Sequence, residues 1–148
     1  MGNRQMFQNT IQIRASSTVV ERCFTDLQLM HRWLNPALRC EPVGEIWSTE
    51  KGSRSHFIVN IPLWQPSLNS TVIERAPGLV IWAFHGFFKG QDRWECTPIA
   101  NGTELLNRFE FEVPNPIVQL GFNLFAAKLT QNDMEAQMQR LKQVAERL

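Results

Sequence analysis

The stretch 16-SSTVVERCFTDLQLMHRWLNP-36 reads as two short helices in succession, the second stopped firmly by proline. Thr18 and Glu21 have the T-x-x-E spacing of a capping box, and Val20, Cys23, Phe24 and Leu27 recur at helical spacing. A first helix therefore starts near Ser17 or Thr18. Leu27, Met30, Trp33 and Leu34 fall on one side of a second helix, and Pro36 pushes Asn35 out of helical geometry. His31 precedes Trp33 by two positions and points away from that apolar side, which gives the stretch an architectural reading rather than a catalytic one.

The pattern is different on either side. Before the helices, "FQNTIQIR" alternates, with Phe7, Ile11 and Ile13 on one face and Gln8, Thr10, Gln12 and Arg14 on the other, as in a half-buried strand. From residue 39 the period becomes two, with turn signals at "KGS" (51–53), "APG" (76–78), "KGQD" (89–92) and "ANG" (100–102). Between them lie "HFIVNI", "STVIER", "LVIWAFHGFF", "DRWECTPI" and "TELLNRFEFEV", rich in β-branched and aromatic residues. An antiparallel meander is predicted.

The chain closes with "NPIVQLGFNLFAAKLTQNDMEAQMQRLKQVAERL". Asn115 is placed to cap a helix with Pro116 at its first position. Ile117, Leu120, Leu124, Ala127, Met134, Met138, Leu141, Ala145 and Leu148 make one apolar stripe. At 1.5 Å per residue such a helix would span roughly 50 Å, so a kink is expected near Gly121 or at 130–132. The expected fold class is α+β: a curved antiparallel sheet of about six to seven strands around a long C-terminal helix, with two short helices after the first strand. Between a bent sheet and a straight helix there is room for an apolar ligand.

Four stretches carry a resemblance that fits this order. "IRASSTVVERCFTDLQLMHRWLNP", "STVIERAPGLVIWAF", "WECTPIANGTELL" and the terminal helix resemble the opening, two hairpins and closing helix of the helix-grip, START-like (SRPBCC) superfamily, especially its polyketide cyclase/dehydrase-like branch. The resemblance covers nearly the whole chain and implies one START-like domain over residues 1–148. It also implies that Trp33 packs under one mouth of a cavity. It does not choose a function, because the superfamily includes lipid carriers, hormone and allergen-type binders, quinone-binding proteins, cyclases and co-chaperone domains.

Composition narrows the choice. A chain of 148 residues, 43% apolar and 20% charged, has the balance of one globular core, and its net charge of +1 offers no basic field for nucleic acid. Cys23, Cys40 and Cys96 form no CxxC pair, so buried reduced thiols are expected rather than a disulfide framework or zinc site. Gln5, Gln8 and Asn9 interrupt any apolar leader, and no apolar run approaches the ~18 residues of a membrane span. A cytoplasmic protein is expected, of unspecified oligomeric state.

No Ser-His-Asp order, H-E-x-x-H, glycine-rich phosphate loop or pair of carboxylates on one apolar face is present, so no catalytic residue, metal or cofactor is assigned. Strand alternation assigns Phe57, Val59, Trp82, Phe84, Trp94, Leu105, Phe109 and Phe111 to the concave face, opposed by Leu120 and Leu124. Together with Trp33, His85 and Asn107 they form the expected ligand-binding set. His85 would orient a polar ligand group if it faced inward, although alternation groups it with Ile81 and Ala83. Asn107 falls among Leu105, Phe109 and Phe111, where its amide requires partners. In "PLWQP" (62–66), Pro62 and Pro66 leave Leu63 and Trp64 on a loop suited to a cavity lip, transient membrane contact or a protein partner.

The first expectation is a non-enzymatic binder, or a carrier, of a hydrophobic small molecule such as a lipid, isoprenoid, quinone or polyketide. The alternatives are a cyclase or dehydratase acting on such a ligand without metal or covalent nucleophile, and a co-chaperone-like interaction module.

Overall fold

A computed structural model describes residues 3–60, 67–86, 89–113 and 132–148. In chain order the elements are β1 (Asn3–Ile13), α1 (Ser17–Thr25), α2 (Leu27–Trp33), β2 (Leu38–Pro42), β3 (Arg54–Val59), β4 (Ser67–Ala76), β5 (Leu79–Gly86), β6 (Lys89–Ile99), β7 (Gly102–Val113) and the C-terminal helix α3, residues 132–146. The strands make one antiparallel sheet in the order β1-β7-β6-β5-β4-β3-β2. Each strand after β2 therefore pairs with its predecessor, while β1 closes onto the last, with Asn3 opposite Val113 and Ile13 opposite Thr103. The helix-grip architecture expected from the sequence is present. Leu63, Trp64, Leu120, Leu124 and the expected kink lie outside the described residues.

The two short helices are separated by one residue with two functions. Asp26 ends α1, its N–H reaching the Arg22 carbonyl at 2.9 Å, and starts α2, its Oδ1 accepting the Leu29 N–H at 3.0 Å. At the start of α1 the cap is Ser16, whose hydroxyl accepts the Val19 N–H, and not the expected Thr18, which is already the second residue of the helix. Breaking α1 at Thr25 strands its last carbonyls. Two indoles reach them: Trp33 Nε1 donates to the Cys23 carbonyl at 2.7 Å and Trp47 Nε1 to the Thr25 carbonyl at 2.8 Å.

Helix α3 holds the second corner. Gln137, buried on its inner side, accepts the Asn35 N–H at 2.9 Å, and Arg140 Nε donates to the Trp33 carbonyl at 2.8 Å. Met134, Met138, Leu141 and Ala145 are buried as the expected stripe requires. Leu148 is not, being half exposed beyond the helix end. The core joins Val20, Phe24, Met30 and Trp33 of the short helices to Val80, Trp82, Trp94 and Leu105 of the sheet and to Met138 and Leu141 of α3.

In the β4–β5 hairpin Gly78, at φ +75, supplies the left-handed position that a type II turn needs after Pro77. "KGQD", expected as a turn, is instead the start of β6: Lys89 to Asp92 pair with Glu112 to Phe109 on one side, and Gly90 to Asp92 pair with Phe84 to Trp82 on the other. A central position between two strands overrides the weak strand preference of Lys, Gly, Gln and Asp. A Cβ at Gly90 would lie 2.0 Å from the Glu110 carbonyl oxygen, so the close approach of β6 to β7 there requires glycine.

Replacing Trp33 by Phe keeps most of the ring but leaves the Cys23 carbonyl without its donor. The expected loss is about 1–3 kcal/mol of unfolding free energy, the penalty for an unsatisfied buried polar group, read by urea denaturation. An unchanged midpoint would show that the indole N–H is not what holds α1 to α2.

Candidate functional site

Alternation along each strand sends one set of side chains to the helix side of the sheet: Phe7, Asn9 and Ile11 from β1, Leu105, Asn107, Phe109 and Phe111 from β7, Asp92 and Trp94 from β6, Trp82 and Phe84 from β5, and Phe57 and Val59 from β3. Two apolar clusters share this face. One contains Trp82, Trp94 and Leu105 and continues into Trp33, Phe24 and α3. The other contains Leu68, Phe84 and Phe111, with Phe7, Phe57 and Phe109 packed against it.

The two clusters differ in closure. Trp33, Leu105 and Phe111 are at most 1% exposed, and Trp82, Phe84 and Trp94 are also buried. Phe7, Phe57, Val59, Asp92 and Phe109 point inward too, yet all remain only half-buried. Of the expected ligand-binding residues, the structure therefore brings Phe57, Val59, Trp82, Phe84, Trp94, Leu105, Asn107, Phe109 and Phe111 onto one face, with Trp33 sealed behind Trp94. His85 does not join them. It sits opposite Asn69 on the outer face and is exposed, because it is one residue out of phase with Trp82 and Phe84. Among the sheet's phenylalanines, Phe84 and Phe109 stack at 5.2 Å, and tilted contacts at 5.2 Å for Phe109–Phe111 and 5.6 Å for Phe7–Phe111 continue the series, while Trp33 of α2 meets Trp94 in a separate tilted pair at 5.1 Å.

A polar group stands between the clusters. Asn107, 2% exposed, donates from Nδ2 to Asp92 Oδ1 at 2.7 Å and to the Arg93 carbonyl at 3.1 Å, and Trp94 Nε1 donates to Asp92 Oδ2 at 2.9 Å. The partners that Asn107 needed are thus two groups on the neighbouring strand. Burial pushes the Asp92 carboxyl up to about 6 from 3.8, against the lowering effect of its two N–H donors. Its side chain is nonetheless only half-buried. Asp92 was missed in the sequence because "KGQD" reads as a turn. The signal was its position two residues before Trp94, on the same side of a strand.

The remaining titratable candidates are structural. His31 is exposed, and its Nε2 accepts the Cys40 N–H at 3.2 Å, pairing a donor on the outer side of edge strand β2. An open groove of about 340 Å³ lies beside it, between Pro36 and Ile58, away from the concave face. The three cysteines are free thiols. Burial raises Cys23 to about 11 and Cys40 and Cys96 to about 12, so none is a thiolate nucleophile at neutral pH. Among the described residues no cluster of His, Cys, Asp and Glu forms a metal site, and no helix is long and apolar enough to cross a membrane.

Asp92 makes stability depend on pH in a definite direction. Its carboxyl holds a proton more tightly in the fold than in the unfolded chain, so its contribution is full below the unfolded value of 3.8 and is lost as pH rises through about 6. Between about pH 4 and about pH 7.5, wild type is expected to lose about 2–3 kcal/mol relative to Asp92→Asn in urea denaturation. A difference that stays constant with pH would place the carboxyl in water-like surroundings.

Comparison with known proteins agrees with this geometry. No curated protein matches the sequence. Among solved structures, the Zhui aromatase/cyclase from Streptomyces superposes with a TM-score of 0.77 at 12% identity, covering 98% of this chain and 95% of its own. The KanY protein superposes with a TM-score of 0.75 at 15% identity, covering 97% and 99%, and a Thermus thermophilus protein with 0.74 at 18%, covering 95% and 97%. At such identities the likeness is one of fold. The family described as polyketide cyclase / dehydrase and lipid transport matches residues 4–146, and with nearly the whole chain inside that match, the protein belongs to this SRPBCC-type family.

Proposed function

We propose that the protein binds a hydrophobic small molecule, of the lipid, isoprenoid, quinone or polyketide kind, against the phenylalanine-rich end of the concave face. One observation carries the reading: Phe7, Phe57 and Phe109 point inward and yet keep accessible surface, while the neighbouring Trp82, Trp94 and Leu105 are sealed. Apolar surface held inside a fold and left uncovered is unfavourable by about 25 cal/mol per Å², and an apolar ligand removes that cost. Family membership supports the same reading.

A second reading, a cyclase or dehydratase, is favoured by Asp92. A carboxyl at about 6 on the edge of the same surface titrates where proton transfer at neutral pH is efficient. Under this reading Asp92 would exchange the proton, while Asn107 and Trp94 would fix its orientation.

Native mass spectrometry of freshly purified protein, compared with its denatured mass, tests the binding reading. The expected result is an adduct that disappears on denaturation, or an apolar fluorescent probe that binds and is weakened about 5- to 30-fold by Phe109→Ala, as loss of most of one ring contact predicts. A bare chain mass together with no probe binding would overturn it.

A further inference from the structure

Resting on the reading that the concave face holds an apolar ligand, we propose that this ligand carries a protonated amine, anchored by Asp92 beside Phe109. The argument begins with the hydrogen-bond inventory. Trp94 Nε1 and Asn107 Nδ2 each occupy one lone pair of the carboxylate, one on each oxygen, so both oxygens still accept. Asn107 spends both Nδ2 hydrogens, on Asp92 and on the Arg93 carbonyl, and what remains of its side chain is another acceptor. With the carboxyl ionised, the polar group therefore offers acceptors to a ligand and no donor.

Charge points the same way. Among the described residues, no cation lies against Asp92. Arg93 turns to the outer face, where its Nε holds Glu95 at 3.0 Å, and Arg108 Nε is bonded to Gln8 at 2.8 Å. On the inner face the cross-strand neighbours of Asp92 are Trp82 on β5 and Phe109 on β7. Aromatic faces carry negative potential and favour a cation beside them. A ligand carbonyl or carboxylate would set lone pair against lone pair. An alcohol would satisfy one acceptor and leave the desolvated charge uncompensated, whereas an ammonium group supplies donors and charge together.

Three probes with one apolar body separate the possibilities: 2-naphthylmethylamine, 2-naphthylmethanol and 2-naphthoic acid, titrated calorimetrically into the full chain at neutral pH. The amine is expected to bind wild type at least tenfold more tightly than the alcohol, and the acid most weakly. In Asp92→Asn the amine should fall to the level of the alcohol, while the alcohol changes less than threefold. Wild-type selectivity is decisive even if the variant does not fold: an amine no tighter than the alcohol overturns the proposal and leaves apolar binding standing. If none of the three probes binds, the reading on which the proposal rests fails first.

Discussion

The indole of Trp94 makes two commitments at once, and much of the molecule is arranged around them. Its ring stacks with Phe24 at 6.0 Å and meets Trp33 at 5.1 Å, joining the sheet to both short helices. Its Nε1 holds Asp92, the one carboxylate found on the concave face among the described residues. An apolar ring and a single polar tip suit this boundary, because one part belongs to the sealed core and the other to a half-open interior. Trp33 continues the connection to the Cys23 carbonyl, so the end of α1 is joined through the two indoles to Asp92.

The face beneath the helices is divided rather than uniform. Toward the β6–β7 turn it is closed by Leu105, Trp94, Met138 and Leu141, and toward the other end it is lined with phenylalanine. Asp92 and Asn107 lie at the division. An ionised acid in such a place is unfavourable for folding, as its raised titration point indicates. The cysteines differ from Asp92 in consequence: burial first, and nearby carboxylates second, push Cys40 and Cys96 up and keep them as neutral thiols.

Much of this was legible in sequence because it rests on periodicity. Pro36 and the spacing of Met30, Trp33 and Leu34 placed α2, and alternation placed Leu105, Asn107, Phe109 and Phe111 correctly on one face. The cap of α1 was misplaced because Ser16, Ser17 and Thr18 are chemically alike and only backbone geometry separates them. Asp92 was hidden for a stronger reason. Lys89, Gly90, Gln91 and Asp92 prefer turns locally, and what makes them a strand is pairing on both sides with segments several residues away. Half-burial of Phe57 and Phe109 was beyond reach, since alternation gives the direction of a side chain and not what covers it.

The pairing of β1 with β7 has a consequence for how the chain is made. Six strands, β2 to β7, join by neighbours in sequence and are free to pair as each hairpin is completed. The first strand synthesised has no partner until residues 102–113 have left the ribosome, and Ile11 and Ile13 must wait that long for Leu105 and Thr103. Loop closure over such a distance is slow compared with hairpin formation. The alternating polar residues Gln8, Thr10 and Gln12 lower the apolar character of that strand during the interval in which an unpaired edge is most open to pairing with another chain.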